Sequence, residues 1–277
     1  MALSVTPIAP EIGVEFAGLS GHQLVDRKVA DDLRKALQAH GVVVCREAHI
    51  GDADLVTLSR MLGDVVVPPL GSAAGHPEVQ KISLDPAKSE LAAYQQGTFH
   101  WHLDGATDAV PQKATLLTAR EVSDEGGDTE FTNTFSAYAA LPEEEKQQLA
   151  GLRVVHSFAA AQLLVTPEPS QKELTAWQRV PSREHPLVWT HSDGRKSLLI
   201  GATADCVVGL TAAESRALLD RLQEWSTRPR FVLRHHWRRG DLVIWDNTGM
   251  LHRALPYRQT SPRLMHRTTL VGEEAVA

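Results

Sequence analysis

The stretch Phe99-His100-Trp101-His102-Leu103-Asp104-Gly105 gathers three residues whose side chains bind metals. Read as an extended strand, it sends alternate side chains to one face, so His100, His102 and Asp104 would stand in a row. A buried face with two imidazoles and a carboxylate is costly unless these groups pair with one another or hold an ion. A third element lies far downstream, in GDLVIWDNTGMLHRA at 240–254, where a strand and a short turn deliver His252. Two ligands two residues apart plus a distant histidine match the arrangement of two histidines and one carboxylate. That set occupies one face of an octahedral Fe(II) and leaves three positions for oxygen and a chelating cosubstrate. A second His-x-Asp triplet, His191-Ser192-Asp193, is followed by Gly194. Its Asp-Gly pair reads as a hairpin turn, with Asp193 serving turn geometry and facing water.

A second source of chemistry is RLMHRTTLVG, residues 263–272. In a strand, Arg263 and Arg267 share a face with Met265 and Thr269. Two guanidinium groups on one interior face need anionic partners. A dicarboxylate cosubstrate and an anionic substrate would supply them through paired hydrogen bonds. On an exposed face, the same residues would be two arginines in surface ion pairs.

The elements that must position these residues follow from periodicity and punctuation. Apolar spacing predicts helices over 29–40, ending at Gly41, and over 52–63, ending at Gly63. Strands are expected at VVVC (42–45), DVVV (64–67), VQKISL (79–84) and KATLLTAR (113–120), and after the EGGDTEFTN turn. PEEEKQQLAG predicts a helix with Pro142 in its first turn, and PLVWTHSDGRKSLLIG a hairpin. Thr211 and Glu214 spell a capping box for a helix to Trp225, and the last third reads as strands. Residues 159–186 are polar, proline-bearing and poorly periodic, which suggests an irregular excursion able to serve as a lid. Many strands with interspersed helices predict a mainly β fold with flanking helices, a double-sheet sandwich or jelly roll.

Composition narrows the partners. The chain has 277 residues, 43% of them hydrophobic and 22% charged, enough for a sizeable core, and its length fits one large β-rich domain as easily as two small ones. A net charge of -6 and no Lys/Arg run argue against nucleic acid or a membrane surface as partner. Cys45 and Cys206 are too few for a disulfide framework or a thiolate metal site, so a reducing cytoplasm is expected. The N-terminus lacks the basic start and apolar core of a signal peptide, and no apolar run reaches membrane-spanning length. Homo-oligomerisation is left open.

WHLD, GGDTEF, HPLVWTHSDGRKSLLIG, GDLVIWDNTGMLHRA and RLMHRTTLVGE resemble, in order and spacing, the taurine dioxygenase/TfdA family. These are Fe(II)- and 2-oxoglutarate-dependent dioxygenases on a jelly-roll core, the double-stranded β-helix. The resemblance covers nearly the whole chain and implies a single domain spanning 1–277. It implies Fe(II) held by His102, Asp104 and His252, with 2-oxoglutarate and O2 as cosubstrates. It implies that Arg263 and Thr129 hold the distal carboxylate of 2-oxoglutarate, and that Arg267 meets the anionic group of a small organic substrate. His100 is then a pocket residue that touches substrate or supports the ligands, because a fourth protein ligand would fill a position the chemistry needs open. The implied reaction hydroxylates a substrate C–H bond and releases succinate and CO2.

The chain departs from the family pattern in places. WHLD replaces the usual WHTD, and WDNT, with Thr248, replaces WDNR. GDVVVPPLGS lacks the histidine and tyrosine that taurine-specific members resemble one another in carrying there, and His76 lies further on, so taurine is not the expected substrate. Two rival readings use the same residues. A zinc-dependent hydrolase fits the spelling His-x-His-x-Asp, although such sites usually want a histidine where Gly105 stands. A non-catalytic jelly-roll binding protein would keep the fold without needing the ligands and both arginines.

Overall fold

The computed structural model describes residues 4–276, and in it two β-sheets face each other across an apolar interior. The larger sheet runs, in order, Ser4–Pro7, Val14–Ala17, Val42–Cys45, Leu242–Asp246, Ala114–Glu121, Leu264–Thr269, His76–Ile82 and Ser72–Ala73. The facing sheet is Val232–His235, Thr129–Asn133 and Met250–Ala254. The chain passes from one sheet to the other at Ala114–Glu121 to Thr129–Asn133. It does so again along Val232–His235, Leu242–Asp246, Met250–Ala254 and Leu264–Thr269. Such alternation between two sheets makes a jelly roll, here with helices on its outer face.

The strand sequences show why these segments sit in the middle. Val43 and Cys45 pack toward the helices, while Val42 and Val44 pack between the sheets. The same split separates Leu242 and Ile244 from Val243 and Trp245, and Leu116 from Leu117. With both faces covered, these strands are apolar throughout instead of alternating. Each fully buried Val or Leu contributes about 1.5–3 kcal/mol.

Helices Arg27–His40 and Asp52–Leu62 cover the outer face of the larger sheet. Asp26 caps the first by accepting from the Lys28 and Val29 amides, and Gly41 closes it at φ 72°. A side chain at Gly41 would strike Met250, with its Cβ 2.6 Å from the thioether. The capping box between Thr211 and Glu214 forms as expected, opening Ala212–Ser226. The hairpin pairs Val188–Thr190 with Lys196–Leu198, and exposed Asp193 accepts from the Arg195 amide.

Three expectations fail. Residues 64–67 make only the isolated bridge Val65 to Leu270, because Pro68 and Pro69 remove the donors a longer ladder needs. Residues 159–186 are not irregular: they fold into helices Phe158–Val165 and Gln171–Gln178 and the strand Arg183–Pro186. Ser157 and a capping box at Ser170 start these helices, but Phe158–Val165 buries no residue and so shows no amphipathic stripe. Pro142 is the N-cap of Glu143–Leu149 instead of part of its first turn.

Candidate active site

His102, Asp104 and His252 converge between the two sheets. Their ligand atoms all lie within 4.8 Å of one another. His102 Nε2 stands 3.9 Å from one Asp104 oxygen and His252 Nε2 stands 3.8 Å from the other. The two imidazole rings are 4.2 Å apart between centroids.

The backbone that presents them is not the strand expected for 99–105. A 3-10 helix, Ala92–Phe99, runs up to His100, and only one pair of ladder bonds follows. His102 and His252 exchange both amide-to-carbonyl bonds, at 3.0 and 2.9 Å. The chain then turns at Gly105, φ 79°, where a Cβ would lie 2.8 Å from the Gln112 nitrogen. His100 therefore does not join a row with the other two. Its ring is half-buried and outside the three-ligand cluster, and its carbonyl stands 2.8 Å from His102 Nδ1. That contact makes Nδ1 the protonated nitrogen and frees the Nε2 lone pair. His252 Nδ1 is set more loosely, 3.4 Å from the Met250 carbonyl.

The carboxylate is held by a relay that the sequence reading did not assign. Trp245 Nε1 donates to Asn247 Oδ1 at 2.8 Å, and Asn247 Nδ2 donates to Thr115 Oγ1 at 2.8 Å. Thr115 then donates to Asp104 at 3.2 Å. Burial alone would raise the Asp104 carboxyl, but the Arg267 guanidinium, with the hydrogen bond from Thr115, holds it down at about 2. Burial and the neighbouring His102 push His252 down to about 3, keeping it neutral. Two imidazole nitrogens and a carboxylate form a donor set that suits Fe(II) or Mn(II) with open coordination positions.

Both arginines face the same cavity as His102 and His252, as their four-residue spacing implies. Arg263 is 3% exposed, and burial pushes its guanidinium down. Its Nε donates to the Gly127 carbonyl at 3.2 Å and its Nη1 to Tyr257 Oη at 3.4 Å. Among the described residues it has no carboxylate within hydrogen-bond reach, so a buried cation faces the cavity without a directly paired carboxylate. Thr129 lines the cavity too, its hydroxyl accepting from Trp237 Nε1 at 2.9 Å and keeping its own proton to donate. Arg267 donates to Gln80 Oε1 and lies 3.5 Å from Asp104 Oδ2.

A family profile described as "Taurine catabolism dioxygenase TauD, TfdA family" matches residues 4–269. The chain belongs to this family. It is 38% identical to the alpha-ketoglutarate-dependent 2,4-dichlorophenoxyacetate dioxygenase of Burkholderia sp. (strain RASC) over 70% of this chain and 67% of that one. It is 32% identical to an alkylsulfatase of Acinetobacter baylyi over 98% of this chain and 86% of the other. The crystal structure of AAD-2 in complex with Mn(II) and N-oxalylglycine superposes with a TM-score of 0.83, at 27% identity and full coverage of both chains. As a TauD/TfdA protein the chain is a 2-oxoglutarate-dependent dioxygenase, an oxidoreductase, which sets aside the hydrolase and binding-protein readings.

Some functional neighbours of this TauD/TfdA site had a signal in the sequence. Asn247 and Trp245 stand in the quoted WDN triplet, and Thr115 shares the inward face of its strand with Leu117. Trp237, Tyr257 and Gln80 carried no local signal, since their roles depend on partners 108, 6 and 187 residues away.

Proposed function

We propose that His102 Nε2, Asp104 and His252 Nε2 hold Fe(II), that Arg263 and Thr129 bind the far carboxylate of 2-oxoglutarate, and that Arg267 receives the anionic group of the substrate. The observation that carries this reading is Arg263, a buried guanidinium without a carboxylate partner among the described residues, facing the same cavity as the two imidazoles. When bound, Fe(II) with O2 supplies the oxidising power: 2-oxoglutarate becomes succinate and CO2 while a substrate C–H bond becomes C–OH.

The chain supplies orientation. The His100 carbonyl and the Trp245–Asn247–Thr115 relay fix the directions in which His102 and Asp104 offer their donors. Arg263 and Thr129 hold one end of a dicarboxylate, which leaves its keto-acid end toward the imidazoles. Arg267, four residues along the same strand, sets an anionic substrate beside the cosubstrate. The relatives' names point to aryloxy carboxylates and sulfate esters, so we place the substrate among small organic carboxylates and sulfate esters. Hydroxylation at a carbon bearing an ether or sulfate-ester oxygen would give a product that breaks down to an aldehyde or ketone.

We further propose one catalytic domain in a reducing cytoplasm. Cys45 and Cys206 are free thiols, and no helix among the described residues is long and apolar enough to cross a membrane. The helices Phe158–Val165 and Gln171–Gln178 are proposed as the cover of the site, since the first packs against the 3-10 helix whose Gln95 and Thr98 line the cavity. Succinate formation from 2-oxoglutarate, measured with Fe(II) over a panel of aryloxyalkanoates, alkyl sulfates, sulfonates and amino acids, tests the reading. Stimulation by carboxylates or sulfate esters supports it, and stimulation only by uncharged compounds would overturn the role of Arg267.

A further inference from the structure

The strand His76–Ile82 runs antiparallel to Leu264–Thr269, and the register sets Gln80 opposite Arg267. Opposed residues in such a pair share one face of the sheet. Here that face looks into the cavity, which Ile82 and Arg267 both line. Gln80 is 7% exposed. Its Oε1 accepts from Arg267 Nη2, and its Nε2 donates to the Leu70 carbonyl at 3.3 Å. These two contacts fix the carboxamide, because a flip would set N–H against the guanidinium and oxygen against oxygen at Leu70.

The charge of Arg267 is not cancelled by this partner. Its nearest carboxylate is Asp104 at 3.5 Å, whose charge also faces both imidazoles. Glu78, two residues back on the Gln80 strand, is paired with Arg60. Arg267 Nε is buried and has no hydrogen-bond partner among the described residues. A carboxylate at position 80 would sit directly on the guanidinium and form the strong charge-assisted pair that arginine makes with carboxylates. Glutamine has the same shape and hydrogen-bonds the same nitrogen, but it leaves the positive charge in place.

We infer that Gln80 is a positioning residue that sets substrate charge specificity: a neutral tether that aims Arg267 at an organic monoanion and keeps its charge free to receive it. This rests on the assignment of Arg267 to the substrate anion and deepens it. The ligand class is a carboxylate or sulfate monoester.

The test compares the affinity of the full-length, metal-loaded enzyme for 2,4-dichlorophenoxyacetate with that for its uncharged primary amide. Hexyl sulfate serves as a second anion, so that the two anion sources are separated by which binds more tightly. Gln80→Glu should lower affinity for the anions by about 30-fold or more and abolish the preference for acid over amide. Gln80→Met removes the tether without adding charge. It should lower anion affinity by only about 3–10-fold and keep the preference for acid over amide, which also covers the case in which Gln80→Glu does not fold. A merely structural role would weaken acid and amide alike. Equal losses for both ligands, or an unchanged acid-to-amide ratio in Gln80→Glu, would overturn the inference. Succinate formation by the wild type without any prime substrate reports separately on the dioxygenase site. Its absence would count against that site assignment, and its presence with an unchanged ratio in Gln80→Glu would remove only the role of Gln80.

Discussion

Thr115 donates its hydroxyl to Asp104 at 3.2 Å while accepting from buried Asn247 at 2.8 Å, so one side chain links the WDN triplet to the site carboxylate. Thr115→Val keeps the shape and deletes both bonds. It should weaken Fe(II) or Mn(II) binding about 10–100-fold. It should also cost about 1–3 kcal/mol of stability by stranding the Asn247 amide. Metal titration and chemical denaturation read the two effects, and unchanged metal affinity would show that Asp104 is oriented by other contacts.

Arg263 separates binding from folding. Removing a paired arginine–carboxylate contact in a desolvated site costs about 2–5 kcal/mol, so Arg263→Met should raise the apparent Kd for 2-oxoglutarate at least about 30-fold. Because the guanidinium is buried without a carboxylate partner among the described residues, the same change should leave the ligand-free protein no less stable. Thermal melts with and without 2-oxoglutarate decide this: the ligand should raise the wild-type Tm and hardly move that of Arg263→Met. A large loss of Tm in the ligand-free variant would contradict the reading of an uncompensated cation.

Much of this site could be read in the sequence because its signals are local or paired by parity. Arg263 and Arg267 share a face simply because they are four apart on a strand, and His102 and Asp104 stand out by type. The row of His100, His102 and Asp104 was misread because alternation assumes a continuous strand, whereas a 3-10 helix and a glycine turn leave a single bridge. The helices within 158–178 were missed for the opposite reason. Their signal is two serine caps, and the apolar stripe that normally announces a helix is absent: Phe158–Val165 buries no residue and Gln171–Gln178 buries only Trp177. Gln80 is identified only by its contact across the sheet with Arg267, which no spacing encodes.

The histidines should divide sharply. His102→Ala should abolish metal binding by removing one of three donors. His100→Ala keeps the backbone carbonyl that orients His102 and should retain measurable metal affinity. Asp193→Asn, at an exposed hairpin turn, should leave metal affinity unchanged. Loss of metal in His100→Ala at retained fold would overturn the ligand assignment.

Asp52 anchors the strand that carries both arginines. Burial would raise its carboxyl, but hydrogen bonds from His266 at 2.7 Å and from Arg120 hold it down at about 2. A carboxyl depressed in the folded state adds stability that is present above its unfolded value near 4 and lost as pH falls toward 2. After allowance for solvent screening this is about 1 kcal/mol. Asp52→Asn should therefore flatten the fall in stability between about pH 4 and pH 2. Denaturation midpoints across that range check it, and an acid limb as steep as in the wild type would assign the loss to other groups.

The central claim is that one cavity holds a metal on three side chains and a dicarboxylate on Arg263. The most direct measurement is a crystal structure of the protein with Mn(II) and N-oxalylglycine, the metal located by anomalous scattering. The account predicts one metal peak bonded to His102 Nε2, His252 Nε2 and an Asp104 oxygen. It also predicts the far carboxylate of N-oxalylglycine within hydrogen-bond reach of Arg263 and Thr129, with Arg267 left for substrate. A metal bonded to His100, or the far carboxylate seated on Arg267, would contradict it.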